Sequence, residues 1–376
     1  MNKNLIILIL SVLLISCSKD DSEPVIIENP SSNVFYYGAD LSYVNEMEDC
    51  GAVYKDSNEN FKDPYKIFAE AGTNLVRIRL WHNPIWTNYS NINDVKKSIQ
   101  RAKSEGMNVL LDFHYSDSWA DPSNQEIPAA WLNQINNTEL LGDLVYNYTF
   151  DTLNELYNSN LLPEIVQIGN EINAMILQNG EVKWPIDWLR NSALINKGIK
   201  AVRDISNQKN KKIEIMLHIA QPENALWWFG EAFNAGITDF DWIGLSYYPL
   251  WSEYNLNTID TPLKNLIETY AKKLMIVETA YPFTLTNADS ANNIIGENAL
   301  IPGYPASQQG QLDYLNDLKT KISESGGQGI IYWEPAWVST NCKTLWGQGS
   351  HWDNATLFDH NNKSTLGMQF YNSSKN

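Results

Sequence analysis

Positive charge is what this chain has least of. Only 27 Lys and Arg stand against 44 Asp and Glu, a formal net charge of −17. Such a surface repels nucleic acid and anionic polysaccharides, which excludes both as ligands; a neutral glycan is compatible with it. Charge of either sign is sparse: 19% of the residues are charged and 43% hydrophobic, the balance of a folded globular chain rather than a disordered one. The apolar run Leu5–Ile15 is too short to cross a bilayer. No internal repeat is visible, and no His/Cys spacing has the form of a zinc site. Aromatic residues, by contrast, are plentiful. The 14 Trp and 19 Tyr exceed what a core requires and suit stacking on sugar rings.

Near the N-terminus, Lys3 followed by Leu5–Ile15 reads as a signal-peptide core. Leu14-Ile-Ser-Cys17 resembles a bacterial lipobox, so residues 1–16 are expected to be removed and Cys17 lipidated. The following Ser18-Lys-Asp-Asp-Ser-Glu23 resembles the acidic export signal that carries lipoproteins of Bacteroidetes to the cell surface. The expected location is therefore the outer membrane, lipid-anchored and exposed. Residues 17–33, rich in Ser, Asp, Glu, Pro and Asn, read as a flexible tether, which leaves 34–376 for one folded domain. Cys50 and Cys342 remain, in a compartment where disulfides form. They become neighbours if the first and last strands of a barrel close side by side, but sequence cannot supply the geometry that a bridge needs.

Eight short apolar runs rich in β-branched or aromatic residues read as strands: Val34–Asp40, Asn74–Leu80, Asn108–His114, Glu164–Glu171, Ile213–Ile219, Asp241–Tyr247, Lys273–Ala280 and Gly329–Glu334. Amphipathic stretches such as Asp94–Glu105, Thr138–Asn158, Pro185–Ser206 and Ser307–Ser325 read as helices between them. Eight alternations without a second composition shift predict an α/β fold: a single (β/α)8 TIM barrel rather than a doubly wound sheet. Long stretches after the third, seventh and eighth strands (116–137, 281–305 and 335–362) would rise from one face as the walls of an open substrate cleft.

The strand Glu164–Glu171 carries the chemistry. A strand buried on both faces should be apolar throughout, so Asn170 and Glu171 at its carboxyl end must point into the mouth of the sheet. Glu278 ends a second strand in the same way. Two glutamates facing each other across one pocket are what a glycoside hydrolase needs, and a retaining enzyme holds its carboxyl groups about 5–5.5 Å apart.

At these residues the chain resembles a known family. Gly38-Ala-Asp-Leu-Ser-Tyr43, Val76-Arg-Ile-Arg-Leu-Trp81, Asp112-Phe-His-Tyr-Ser-Asp117-Ser-Trp119, Pro128-Ala-Ala-Trp131, Gly169-Asn-Glu-Ile-Asn173 and Val277-Glu-Thr-Ala-Tyr-Pro282 are similar to segments of the arabinogalactan endo-β-1,4-galactanases of glycoside hydrolase family 53. The resemblance implies an endo-acting, retaining hydrolase of β-1,4-galactan, the neutral side chain of pectin, that needs no cofactor for catalysis. Glu171 would be the acid/base and Glu278 the nucleophile. Asn170 would bind the sugar 2-hydroxyl, and Arg79 would support the nucleophile's charge. His114, His218 and Tyr247 would surround the reacting sugar, Trp333 would stack under it, and Trp81 and Trp119 would offer further platforms; Trp86, Trp131 and Trp337 are candidates of the same kind. A monomer is expected.

The resemblance also raises a structural calcium between the loops after the seventh and eighth strands, with Asn287, Asp289, Asn293, Ser350 and Asp353 as candidate ligands. Calcium wants six to eight oxygens, commonly carboxylates among them, and this set is depleted: Asn287 and Ala291 stand where the family has an acid and a histidine. Two packed polar loops without metal are the alternative. For function, the alternatives are another retaining β-1,4-endoglycanase, such as a mannanase or cellulase, or a non-catalytic surface glycan-binding lipoprotein. The second would not require both glutamates.

Overall fold

The computed structural model describes residues 34–375. The segments expected to be a signal peptide and a tether, with Cys17, lie outside the described residues. Eight parallel strands close into a barrel in sequence order: β1 (Tyr36–Asp40), β2 (Leu75–Leu80), β3 (Asn108–Phe113), β4 (Ile165–Ile168), β5 (Glu214–Ala220), β6 (Trp242–Ser246), β7 (Lys273–Glu278) and β8 (Gly329–Tyr332). All eight expected strands are present, each shorter than or shifted slightly from its apolar run. Where the runs end in polar residues, the chain has already left the sheet to form the mouth.

Helices α1 (Val44–Asp49), α2 (Pro64–Ala71), α3 (Ile92–Ser104), α4 (Thr138–Asn158), α5 (Trp188–Lys209), α6 (Pro222–Asn234), α7 (Asp260–Tyr270) and α8 (Gln308–Glu324) occupy the connections. Several begin at a side-chain cap: Asn91, Asn137, Asp187 and Ser307 each accept a backbone N–H of the first turn. The α6 helix lies where the alternation of strand and helix requires one, between β5 and β6, and its buried residues Ala225, Trp228, Phe229 and Ala232 follow helical spacing. No helix among the described residues is long and apolar enough to cross a membrane.

Strand alternation sends every second side chain into the barrel, and the interior differs from one end of the strands to the other. Its floor is apolar, filled by Leu75, Leu110, Ile165, Met216, Trp242, Met275, Val277 and Ile331. Toward the carboxyl ends of the strands the interior turns polar, with Asp40, Arg77, Asp112, Gln167, His218 and Ser246 all buried. A larger apolar layer between the strands and the helices holds this frame together. Past the eighth strand a short hairpin, β9 (Lys343–Thr344) and β10 (Gly347–Gln348), follows Cys342 directly. Cys342 is disulfide-bonded to Cys50 at the end of α1, with the Cα atoms 5.6 Å apart, which settles the pairing that the sequence left open.

Candidate active site

Backbone irregularities aim the two glutamates. Beyond β4 the chain turns through Gly169 at φ +81, where a Cβ would run into the Ile172 side chain, and Glu171 itself stands at φ +44. A non-glycine residue in that region is held there by its surroundings, a strain found at functional sites. On β7, Val277 already points into the barrel, so regular alternation would turn Glu278 outward. A register shift opposite Leu245 and Ser246 brings Glu278 inside as well, the re-aiming for which strand bulges are known.

A carboxylate oxygen of Glu171, one of Glu278 and a ring nitrogen of His218 lie within 4.8 Å of one another. That closeness suits direct nucleophilic attack; the roughly 6.5–9.5 Å of inverting enzymes leaves room for a water instead. The two acids have different neighbours. Ser246 donates to Glu171 Oε1 at 2.6 Å and stands 2.9 Å from His218 Nε2. Glu278 Oε1 accepts from Arg77 at 2.7 Å, and the Tyr248 hydroxyl approaches Oε2 at 3.4 Å. Burial, with the charge of Glu278 adding to it, pushes the Glu171 carboxyl up to about 8. Burial also raises Glu278, to about 7, but Arg77 opposes the rise. Of the pair, Glu278 gives up its proton first and Glu171 keeps it.

Arg77 is the hub of this site. Fully buried, it reaches Asp40 Oδ2 at 3.1 Å, Asp112 Oδ2 at 2.8 Å, Asn170 Oδ1 at 2.7 Å and Gln167 Oε1 at 3.2 Å, besides Glu278. The role expected of Arg79 therefore falls to Arg77. Both side chains point inward by alternation, but Arg79 sits one layer higher and pairs with Glu334 at 3.1 Å beyond β8. The same alternation corrects Tyr247. Ser246 and Tyr248 face the site, while Tyr247 turns away and donates to the Tyr254 carbonyl.

His114, His218 and Asn170 lie together around this hub. Asn170 donates to the Ala120 carbonyl at 2.8 Å. His114 holds Asp112 at 3.2 Å and accepts the Ala120 N–H. Burial lowers the pKa of both histidines, so each is neutral. Both ring nitrogens of His218 have hydrogen-bond neighbours, Asn170 Oδ1 and Ser246 Oγ. Neither is a free ligand for a metal at the pair of acids.

A cleft of about 460 Å³ opens over the pair, lined by Trp333, Trp251, Trp352, Tyr248 and Asn224. Trp333 thus has the position expected for a sugar platform. Trp119, half-buried, lies 4.1 Å over the Arg79 guanidinium and 6.2 Å from Trp333. Trp81 is a correction: it is buried, and its ring lies behind Trp119 and against Arg79 rather than at the cleft surface. Trp131 and Trp337 are buried too, Trp337 stacked on Tyr43 at 4.2 Å; Trp86 remains partly exposed. Tyr248, Ser246, Asp40, Asp112 and Trp352 were missed. Ser246 and Tyr248 could have been found by counting alternate positions from Gly244.

The two loops suggested for calcium do meet, but as hydrogen-bond partners. Asp353 accepts from the Ala288 N–H at 2.9 Å and from Asn293 Nδ2 at 2.8 Å. Asp289 accepts from the N–H groups of Ala291 at 2.7 Å and Ser350 at 2.8 Å, and from the Ser339 hydroxyl. Asn287 Oδ1 accepts from Asn293 Nδ2 at 2.7 Å, and the Ser350 hydroxyl donates to the Trp337 carbonyl. Only Asn293 Oδ1 among these oxygens is buried without a donor. Two carboxylates already directed at N–H groups do not make a cage of six to eight oxygens, so the set does not fit calcium.

The sequence model of glycosyl hydrolase family 53 matches residues 36–371. An arabinogalactan endo-β-1,4-galactanase of Cellvibrio japonicus is 55% identical over 332 residues, 88% of this chain and 88% of that protein. An endo-β-1,4-galactanase of Bacillus subtilis is 32% identical over 90% of this chain and 85% of its own length. Among solved structures, the family 53 catalytic domain of Ignisphaera aggregans superposes with a TM-score of 0.82 at 32% identity, covering 90% of this chain and 96% of that one.

Proposed function

We propose that this chain, which belongs to glycosyl hydrolase family 53, is an endo-acting, retaining hydrolase of β-1,4-galactosidic linkages in galactan and type I arabinogalactan. The observation that carries the reading is the pair of acids within 4.8 Å of each other, one beside Arg77 and one without a cation. Glu278, ionised first, attacks the anomeric carbon of the sugar lying on Trp333. Glu171, still protonated, gives its proton to the departing glycosidic oxygen. Once Glu278 is a neutral ester the electrostatic pressure on Glu171 falls, and Glu171 takes a proton from the water that releases the sugar. The substrate is supported by the relatives named as galactanases.

Incubation of the purified protein with galactan, mannan, cellulose and xylan, with products separated by chromatography, tests the substrate. Galactan should be cut internally, and proton NMR should show the β-anomer first. Rapid cleavage of mannan with galactan untouched would move the assignment to another endoglycanase.

We further propose that the enzyme works from the outer surface of the outer membrane, held by a lipid on Cys17 and a tether over residues 17–33. The lipobox-like Leu14-Ile-Ser-Cys17 and the acidic stretch after it support this. Replacing Cys17 with Ala should release the enzyme from the membrane fraction with catalysis intact. An altered protein that still sediments with membranes would remove the anchor.

A further inference from the structure

Two tryptophans outside the cleft lining are more exposed than packing explains. Trp184, in the loop between β4 and α5, is 57% exposed, and Trp227, on α6, is 49% exposed. Their ring centroids are 6.2 Å apart with the planes inclined by 40°. They are backed rather than loose: Trp188 lies 6.5 Å behind Trp227 and 5.5 Å from the fully buried Trp228. A pair of large apolar rings held at the surface on a rigid base marks a binding surface.

Its position says what binds. On α6, Asn224 lines the cleft beside Glu171, Ala220 and Gln221. Trp227 follows Asn224 by three residues and so shares its helix face. The pair therefore continues the cleft outward past Glu171, over the ends of β4 and β5, on the far side of the site from Trp333 on the β8 side. The acid must touch the oxygen that joins the reacting sugar to the departing part of the chain. The departing part consequently extends on the Glu171 side, toward these two rings.

We propose that Trp184 and Trp227 form a distal platform for the leaving end of a β-1,4-galactan chain. Each galactosyl unit suits such rings: its axial 4-oxygen leaves the C3, C4 and C5 hydrogens on one face, an aliphatic patch that lies on an aromatic plane. The inference rests on the galactan reading above.

The test uses the whole enzyme with Trp184→Ala, Trp227→Ala and the double replacement. Leu189→Ala, at an 86% exposed position in the first turn of α5, serves as the control. Each is assayed on polymeric galactan and on a short aryl β-1,4-galactobioside, whose departing group ends before the platform. In the double variant the ratio of kcat/KM on polymer to that on the short substrate should fall about tenfold, through KM. Replacement by Phe at both positions should restore most of it, and Leu189→Ala should match the wild type. An unchanged ratio in the double variant overturns the platform. A wild-type enzyme that ignores galactan but cuts another β-1,4-glycan overturns the substrate instead, and the same ratio measured on that glycan then decides the platform separately.

Discussion

Arg77 and Arg79 stand two residues apart on β2, both buried and both ion-paired, yet they organise different neighbourhoods. Around Arg77 are three carboxylates, Asp40, Asp112 and Glu278, and the amide oxygens of Asn170 and Gln167. Around Arg79 there is one carboxylate, Glu334, and a box of rings: Tyr43 at 4.8 Å, Trp81 at 4.7 Å and Trp119 at 4.1 Å. The first is a charge cage at the reacting centre; the second is a packed rim that stiffens a cleft wall. One layer of strand register separates chemistry from support.

The sharpest way to test that contrast is to remove the acid that Arg77 holds and the acid that faces it across the pocket. Glu171→Gln and Glu278→Gln should each fold normally in thermal melts and lose activity on galactan by about 10³-fold or more, measured as reducing-sugar release. Activity near wild type in Glu278→Gln would remove the inner cage from the reaction, and in Glu171→Gln it would remove the acid that faces the cage.

Next in size is the comparison of the arginines themselves. Arg77→Met leaves three buried carboxylates without their cation, a loss of about 3–5 kcal/mol in denaturant unfolding, together with most of the activity. Arg79→Met strands only Glu334, whose carboxyl burial already holds well above its ordinary value. A group that can stay protonated costs less, about 1–3 kcal/mol, and kcat should change only severalfold. Equal damage from the two replacements would break the distinction between cage and rim.

The smallest effect lies in the pH profile. Activity should fall below about 7 as Glu278 takes up a proton and above about 8 as Glu171 loses its own. The Ser246 hydrogen bond lowers the Glu171 pKa. Ser246→Ala should therefore move the alkaline limb upward and leave the acid limb in place, while any surviving activity of Arg77→Met should show the acid limb shifted upward instead. An alkaline limb that stays put in Ser246→Ala would detach Glu171 from it.

The arginines also show how far the sequence could be read. The barrel was legible because parallel strands buried on both faces appear as apolar runs, and the glutamates because they end such runs in polar residues. Which arginine meets Glu278 was not: alternation turns both inward, and depth depends on register with strands far away in the chain. Tyr247 failed for a related reason, since it occupies the outward position between Ser246 and Tyr248. Trp81 looked like a platform because exposure cannot be read from residue type. The loop oxygens after β7 and β8 were visible as a pattern, but the backbone N–H groups that claim them were not.

The Cys50–Cys342 bond has a consequence of a different kind. It joins residues 292 apart in sequence, and β2 to β8, seven of the eight strands, lie between its ends. Topologically the domain is thus a covalent ring with two tails, one carrying β1 and the other β9 and β10. A protease that cuts the long loop after β3 or the one after β7, both between the bonded cysteines, opens the ring without dividing the molecule. The severed ends stay tethered at high effective concentration, and rejoining of the halves remains a unimolecular event. A nicked enzyme should therefore run as one species on a gel without reductant and as two fragments with it.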